Sequence, residues 1–172
     1  GTIPSYFQAN MDLLSDPPLF DLDDPDWIFH TKSEEKPPVK LDANAKVIRS
    51  LVANGCVING FVENSILFPG VIIESDAVVQ NSIIFSNTII SQGARIQNAI
   101  IDKLVHIGKG CHIGMGVRVE STNQGISVIG KGSHIPSNTH IGSDCIIDSG
   151  LREEHFLTTH IADGEVLRKK KN

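Results

Sequence analysis

The sequence predicts an all-β fold in which one chain winds into a column of stacked coils, each built from three short strands. A 17-residue phrase occurs three times in succession over residues 62–112: VENSILFPGVIIESDAV, VQNSIIFSNTIISQGAR and IQNAIIDKLVHIGKGCH. Its large aliphatic residues recur at steps of five or six, whereas a helix requires steps of three and four and a single strand alternates by two. Steps near six that sum to 17 therefore indicate three strands and three corners per coil.

Each predicted strand sends one large aliphatic side chain to the axis of the column and leaves room for one small side chain nearby. We expect stacked asparagines at one corner, because Asn tolerates the left-handed backbone of a tight corner and its amides can bond along the axis. The predicted large axial residues are Val62, Leu67, Ile73, Val79, Ile84, Ile90, Ile96, Ile101, Ile107, Ile113, Ile129, Ile135, Ile141 and Ile147. The predicted small residues are Cys56, Ala77, Thr88, Ala94, Cys111, Ser133, Thr139 and Cys145, and the corner asparagines are Asn64, Asn81 and Asn98.

Two different segments precede the repeat. Residues 1–15, GTIPSYFQANMDLLS, predict a short amphipathic helix with Thr2 as its N-cap and Pro4 in its first turn. Residues 16–44 contain several prolines, which predict an extended, semi-rigid linker. Trp27 and Phe29 inside this linker indicate that it lies against a surface.

The repeat is predicted to occupy residues 45–150, with one interruption. Residues 116–128, GVRVESTNQGISV, are too polar to continue the column and predict a protruding loop or hairpin. Residues 151–172 form a C-terminal tail that ends in the basic run Arg168-Lys169-Lys170-Lys171.

Composition excludes several classes of protein. The formal net charge of -5 argues against non-specific binding to nucleic acid or to an anionic membrane. No apolar run approaches the roughly 20 residues that span a bilayer. Three widely spaced cysteines predict a reducing compartment and inert small core residues, and we expect a cytoplasmic protein.

The pattern [Leu/Ile/Val]-Gly-x-x-small-x resembles the hexapeptide repeat of left-handed parallel β-helix proteins, and the handedness is taken from that resemblance. Outside the repeat, GTIPSYFQANMDLL and the linker ending in KPPVK look like the interdomain junction of glucose-1-phosphate adenylyltransferases. The stretch VIRSLVANGCVINGFVENSILFPGV resembles the first β-helix coils of the same family. The resemblance covers residues 1–113 and implies a single-stranded left-handed parallel β-helix preceded by a short α-helix and an extended Pro-rich linker.

The resemblance implies a C-terminal domain for regulation and oligomerisation, with residues 1–15 as a remnant of the catalytic domain of the same chain. The parent enzyme would convert ATP and glucose-1-phosphate to ADP-glucose and pyrophosphate with Mg²⁺ in its catalytic domain. This sequence lacks the Gly-rich nucleotide loop, the metal-binding aspartate and the sugar-phosphate lysine of that family. We therefore expect no catalytic residue, cofactor or metal site here.

The resemblance also points to an anion-binding allosteric site, because effectors of the family are phosphorylated metabolites that need cations. The segment Ile100-Ile101-Asp102-Lys103 matches a V-I-D-basic segment and points to Lys103. The stretch EVLRK matches a C-terminal E-x-L-R-K segment and points to Arg168, although Gly164 stands where another basic residue is common.

The remaining histidines and glycines predict no further site. His106, His112, His134 and His140 each precede an axial aliphatic residue and should point outward, with His106 and His112 on different sides of the column. Gly108 and Gly110 lack the ending of a phosphate-binding loop and should serve a corner.

Two other functions remain open. Hexapeptide repeats also occur in acyltransferases, whose active sites lie between three subunits and use a histidine, so a trimer that binds acyl-CoA is the alternative. The second alternative is a non-catalytic regulatory paralogue of a sugar nucleotidyltransferase, or a sister enzyme that uses another nucleotide. If the chain is the C-terminal domain of a glucose-1-phosphate adenylyltransferase, we expect the column to self-associate as a dimer or tetramer. An outer aliphatic face with Phe68 and Phe85 is then expected to meet a second subunit.

Overall fold

The fold is a parallel β-helix of seven coils preceded by one short helix, as described by a computed structural model over residues 1–17, 35–116 and 123–169. Helix α1 spans Ile3–Met11 and continues as a 3-10 turn over Asp12–Leu14, and a second 3-10 turn spans Glu153–His155. The strands are β1 (Lys40–Leu41), β2 (Lys46–Ile48), β3 (Leu51–Val52), β4 (Val57–Ile58), β5 (Phe61–Glu63), β6 (Ile66–Leu67), β7 (Ile72–Ile73), β8 (Val78–Gln80), β9 (Ile83–Ile84), β10 (Ile89–Ile90), β11 (Arg95–Gln97), β12 (Ala99–Ile101), β13 (His106–Ile107), β14 (His112–Ile113), β15 (Ser127–Ile129), β16 (His134–Ile135), β17 (His140–Ile141), β18 (Ile146–Ile147), β19 (His160–Ile161) and β20 (Val166–Leu167).

The strands form three parallel sheets, which are the three faces of the column. Face 1 has the order β1-β4-β7-β10-β13-β16, face 2 the order β2-β5-β8-β11-β14-β17-β19, and face 3 the order β3-β6-β9-β12-β15-β18-β20. Each strand therefore pairs with the equivalent strand one coil away. This arrangement confirms the fold class predicted from the 17-residue period.

Like residues stack on like along the axis. Ile90 pairs in register with Ile73 and Ile107, so three isoleucines lie directly above one another. All the predicted large axial residues are at most 3% exposed, and all the predicted small ones are fully buried. The interior of the described column is therefore filled by these large and small side chains.

The corner between faces 2 and 3 is built from two polar ladders. Asn64, Asn81 and Asn98 have φ values of 45°, 46° and 48°, the left-handed conformation predicted for them. The Asn64 side-chain amide donates to Asn81 Oδ1 at 2.8 Å. Beneath them, the buried Ser65 hydroxyl accepts from the backbone N–H of Ser82 at 3.1 Å. These bonds satisfy polar groups that would otherwise be buried without partners.

Helix α1 lies on the outer side of face 3. Its N-terminus carries the predicted cap, in which Thr2 and Ser5 bond reciprocally. Ile3, Phe7 and Met11 pack against buried residues of the face, among them Ile83 and Ile100. The helix is therefore attached to the column by the apolar residues that its spacing predicted.

Phe68 and Phe85 belong to the same contact. Their rings stack at 4.6 Å between centroids, and Tyr6 of the helix lies 6.5 Å from Phe85. We expect this face to meet a second subunit; helix α1 of the same chain packs on part of it, and both phenylalanines are partly exposed.

The column extends beyond residues 45–150 at both ends. β1 precedes that range, whereas β19 and β20 lie within residues 151–172, because the aliphatic Ile161 and Leu167 continue the axial rows. β15 begins at Ser127, within the segment predicted as an insertion. Residues 18–34, which include most of the predicted linker with Trp27 and Phe29, and residues 117–122 of the insertion lie outside the described residues.

Substitution of an axial residue should cost far more stability than substitution of its outward neighbour. Ile90 is fully buried, whereas the adjacent Ile89 lies on the outside of the same strand and is partly exposed. We expect Ile90→Ala to lower the free energy of unfolding by about 3–4 kcal/mol, since it leaves a cavity among stacked isoleucines. Ile89→Ala should cost less than about 1.5 kcal/mol. Equal losses for the two variants in denaturant titrations would contradict the stacked core.

Candidate functional site

Lys103 lies at the corner that leads from face 3 to face 1. It follows β12 directly, and its backbone N–H donates to Asp102 Oδ1 at 2.7 Å. The short bond from backbone to carboxylate fixes the turn at this point, and the lysine side chain is exposed to solvent. Lys103 is therefore held at a defined place on an otherwise rigid edge.

Arg168 lies on the same edge, three coils further along the axis. The pairing of Ile101 with Ile129, of Ile129 with Ile147 and of Ile147 with Leu167 sets the register of this row. Neighbouring strands are about 4.8 Å apart, so roughly 14 Å separates the backbone at the two ends of the row. The structure brings the two predicted residues to one edge but not to one point.

Lys131 lies between them and was missed by the sequence analysis. It occupies the position equivalent to Lys103 one coil later, and the Gly132 N–H beside it donates to the Lys103 carbonyl at 3.0 Å. A sequence pattern could have identified Lys131, because Val128-Ile129-Gly130-Lys131 repeats the pattern of Ile100-Ile101-Asp102-Lys103. The two lysines are 28 residues apart rather than 17, so an insertion of 11 residues hides the match.

We call Lys103, Lys131, Arg168 and Lys169 the basic edge. The three lysines occupy equivalent positions of their coils, whereas Arg168 occupies the position of Asp102 and Asp148. All four side chains are exposed, and among the residues that the structure describes none of them forms an ion pair. Asp102 and Asp148 are the carboxylates of the adjacent row. Exposed lysine and arginine side chains bind anions through charge-assisted hydrogen bonds. The arrangement is suited to binding an anion.

The cysteines are inert core residues, as predicted. Cys56, Cys111 and Cys145 are fully buried, and each thiol contacts a backbone carbonyl, at 3.0 Å from Pro136 O in the case of Cys111. Burial raises the pKa of all three thiols, which disfavours the reactive thiolate. They therefore offer no nucleophile to a substrate.

The histidines point outward, and His106 and His112 lie on faces 1 and 2 respectively, as predicted. The His106 ring lies 3.0 Å from the Ser91 hydroxyl. Across residues 1–17, 35–116 and 123–169, no group of three or more His, Cys, Asp or Glu side chains is arranged to hold a metal ion. The described part of the chain likewise contains no helix long and apolar enough to cross a bilayer.

The glycines of the Gly108-x-Gly110 pair serve the packing of adjacent coils. A Cβ on Gly108 would lie 2.5 Å from the backbone nitrogen of Ser137, and Gly110 has a φ of 63°. Close approach of two coils and a left-handed corner thus account for both positions.

Comparison with known proteins places the repeat in one family. Residues 37–127 match the sequence profile of the family described as GlmU-like, C-terminal hexapeptide. Proteins named glucose-1-phosphate adenylyltransferase are similar over almost the whole chain. The protein from Acetivibrio thermocellus is 34% identical over 175 residues, which cover 98% of this chain and 41% of the relative.

Two further relatives show the same coverage. The glucose-1-phosphate adenylyltransferase of Pseudothermotoga lettingae is 44% identical over 99% of this chain and 42% of its own length. That of Thermomicrobium roseum is 40% identical over 97% of this chain and 41% of its own length. The chain thus spans about two fifths of these relatives and corresponds to their C-terminal part. It belongs to the GlmU-like C-terminal hexapeptide family, in the form that glucose-1-phosphate adenylyltransferases carry.

Proposed function

We propose that this chain is the regulatory and assembly domain of a glucose-1-phosphate adenylyltransferase, an enzyme that makes ADP-glucose and pyrophosphate from ATP and glucose-1-phosphate. The observation that carries the proposal is similarity to such enzymes over 97–99% of the chain, including the helix and linker outside the repeat. A hexapeptide column alone would fit many enzymes, among them acyltransferases. Similarity that extends through the N-terminal helix favours the nucleotidyltransferase.

The chemistry of such an enzyme requires charges that the described residues do not bring together. Nucleotidyl transfer needs a metal ion and cations beside the phosphates. The axis of this column is filled by aliphatic side chains, and the described carboxylates form no metal-binding group. Mg²⁺ and both substrates therefore belong to another part of the proposed whole protein, and no catalytic step is assigned to this chain.

Helix α1 is the proposed connection to the catalytic domain. Ile3, Phe7 and Met11 hold it against face 3, and its first turn is capped by Thr2 and Ser5. Each apolar side chain buried there contributes roughly 1–2 kcal/mol before conformational entropy is subtracted. A helix fixed in this way would transmit the orientation of the column to the domain that precedes it.

The first coil is the proposed surface for self-association. Leu41 on β1 is 55% exposed although it lies in the axial row of Ile58. Ile48 on β2 is 46% exposed and stands in a row that continues with polar residues. The strands of this coil also leave backbone groups unpaired by any preceding coil, which favours pairing with another chain. At the opposite end, Phe156 packs on the core and covers the last coils. A dimer or tetramer formed through the first coil would cover the exposed end.

The basic edge is the proposed site for phosphorylated effectors. Lys103 and Lys131 lie one coil apart, about 4.8 Å along the axis, which allows both ammonium groups to reach one phosphate. Arg168 and Lys169 are too far along the edge to reach the same phosphate without a longer ligand. The lysine pair is therefore suited to one small anion, and Arg168 could contact a second charged group of a longer ligand.

The chain alone should be catalytically inactive. We expect no ADP-glucose from ATP, glucose-1-phosphate and Mg²⁺ when the 172-residue chain is assayed by pyrophosphate release. The whole protein, assayed under the same conditions, is the positive control. Measurable ADP-glucose synthesis by the chain would contradict the proposal that catalysis belongs to another part of the whole protein.

Neutralising the lysine pair should weaken effector binding. Lys103→Gln and Lys131→Gln should each weaken the binding of glucose 6-phosphate or inorganic phosphate to the whole protein by about 3–10-fold, because each removes one charge-assisted bond. Lys46→Gln on the first coil removes a charge far from the edge and is the control. Titration calorimetry at two salt concentrations measures the change. Affinities equal to the wild type in both edge variants would exclude the site.

A charge on the exposed end of the column should disrupt assembly. Leu41→Lys places an ammonium group in the proposed interface and should shift the protein towards monomers in light scattering. Leu157, which is 90% exposed near the other end, provides the matched control as Leu157→Lys. An oligomer unchanged by Leu41→Lys would place the interface elsewhere.

A further inference from the structure

Most histidines of the chain form two outward columns on the last three coils. On face 1, His106 pairs in register with His134. On face 2, His112 pairs with His140, and His140 pairs with His160. Five of the seven histidines in the sequence thus occupy equivalent positions in successive coils.

The imidazoles of these columns are in contact or nearly so. The ring centroids of His112 and His140 are 4.7 Å apart, and those of His140 and His160 are 6.4 Å apart. The rings of His106 and His134 meet edge to face at 5.6 Å. Like charges on directly stacked residues repel one another, so two protonated neighbours in such a column would destabilise the stacked arrangement.

The earlier coils contain no histidine in the same rows. The outward positions of face 2 hold Lys46, Phe61, Val78 and Arg95 in the first four coils. Those of face 1 hold Lys40, Val57, Ile72 and Ile89. Among the described residues, any change in imidazole charge is therefore confined to one end of the column.

Among the described residues, Arg95 and Asp163 are charged groups beside the face 2 column. Arg95 precedes His112 in the row, so the column begins beside a permanent positive charge. Asp163 lines the same groove of about 390 Å³ as the three imidazoles. Its Oδ1 already accepts from the Ser143 N–H at 2.8 Å. Burial, His140 and Arg95, in that order, lower the pKa of His112.

The face 1 pair has a similar environment. His134 faces His106, Arg152 and Glu153. Burial lowers its pKa most, followed by Arg152 and His106, whereas Glu153 acts in the opposite direction. The second 3-10 turn, which carries Glu153, replaces a seventh strand on this face, so the pair lies beside the end of the sheet.

We propose that the two histidine columns make the last three coils, from His106 to Leu167, selectively sensitive to mild acid, while the first four coils keep their stability. The neutral imidazoles stack without cost, whereas protonation places like charges within one coil spacing of each other. An imidazole whose pKa is lowered on folding contributes stability above its ordinary pKa of about 6.5. That contribution is lost as the pH falls below this value, because the unfolded chain then binds more protons.

The acid-sensitive coils carry Lys131, Arg168 and Lys169. Loosening them would change the spacing of the basic edge and would also reach helix α1, because Ile126 and Val128 of the fifth coil belong to the apolar cluster on which the helix packs. This consequence rests on the proposed effector site. The acid response itself does not depend on that site and is measured without any ligand.

Hydrogen exchange of the intact protein at pH 7.5 and pH 5.5, corrected for intrinsic rates, tests the proposal. Amides such as His112 N–H and His140 N–H, which bond to Thr139 O and Thr159 O, should lose about tenfold in protection at the lower pH. The Val78 N–H, which bonds to Ala94 O, should keep its protection. The double variant His112→Gln/His134→Gln, which removes the two imidazoles whose pKa is lowered, should abolish the difference, and Lys46→Gln should leave it intact.

Two results would overturn the proposal. One is equal loss of protection along the whole column, and the other is a pH response that persists in the double variant. If the double variant does not fold, NMR titration of the wild-type imidazoles decides the question. Titration of His112 and His134 below the ordinary histidine value supports the proposal, and titration at or above that value refutes it.

Discussion

The stacking of one axial aliphatic side chain per strand is the contact on which the other features of this protein depend. Each coil can bury its large residues only by placing them on the equivalent residues of the next coil, as Ile73, Ile90 and Ile107 do. This requirement fixes the register of all three faces at once. It also leaves the outward rows free to carry different chemistry, because residues there take no part in the axial stacking. The basic edge and the histidine columns are both outward rows of this kind.

The sequence predicted the column well because its signal is periodic. Steps of five and six identified the axial residues up to Ile147, and the asparagine corner followed from the same repeat. The prediction was less complete where the period breaks. The insertion after residue 116 concealed the equivalence of Lys103 and Lys131, and the polar 3-10 turn at Glu153–His155 concealed the strands that follow it.

Contacts between rows could not be predicted from the sequence at all. Helix α1 was expected to pack on something, but only the fold shows that Phe7 and Met11 meet the face formed by Ile83 and Ile100. Phe68 and Phe85, which we expected at a subunit interface, belong to the same contact and are partly buried within their own chain. The histidines were correctly placed outside, yet their stacking depends on the coil register after the insertion, which the spacing alone did not provide.

The buried serines beneath the asparagine corner have a consequence for how the column tolerates change in length. Ser82 accepts a bond from Ala99 N–H just as Ser65 accepts one from Ser82 N–H, so each coil presents the same donors and acceptors to the coil above it. A whole coil added or removed here would restore every bond, whereas a shift by one residue would break them all. Evolution can therefore lengthen or shorten such a protein only in units of one complete turn, or by extruding extra residues at a corner.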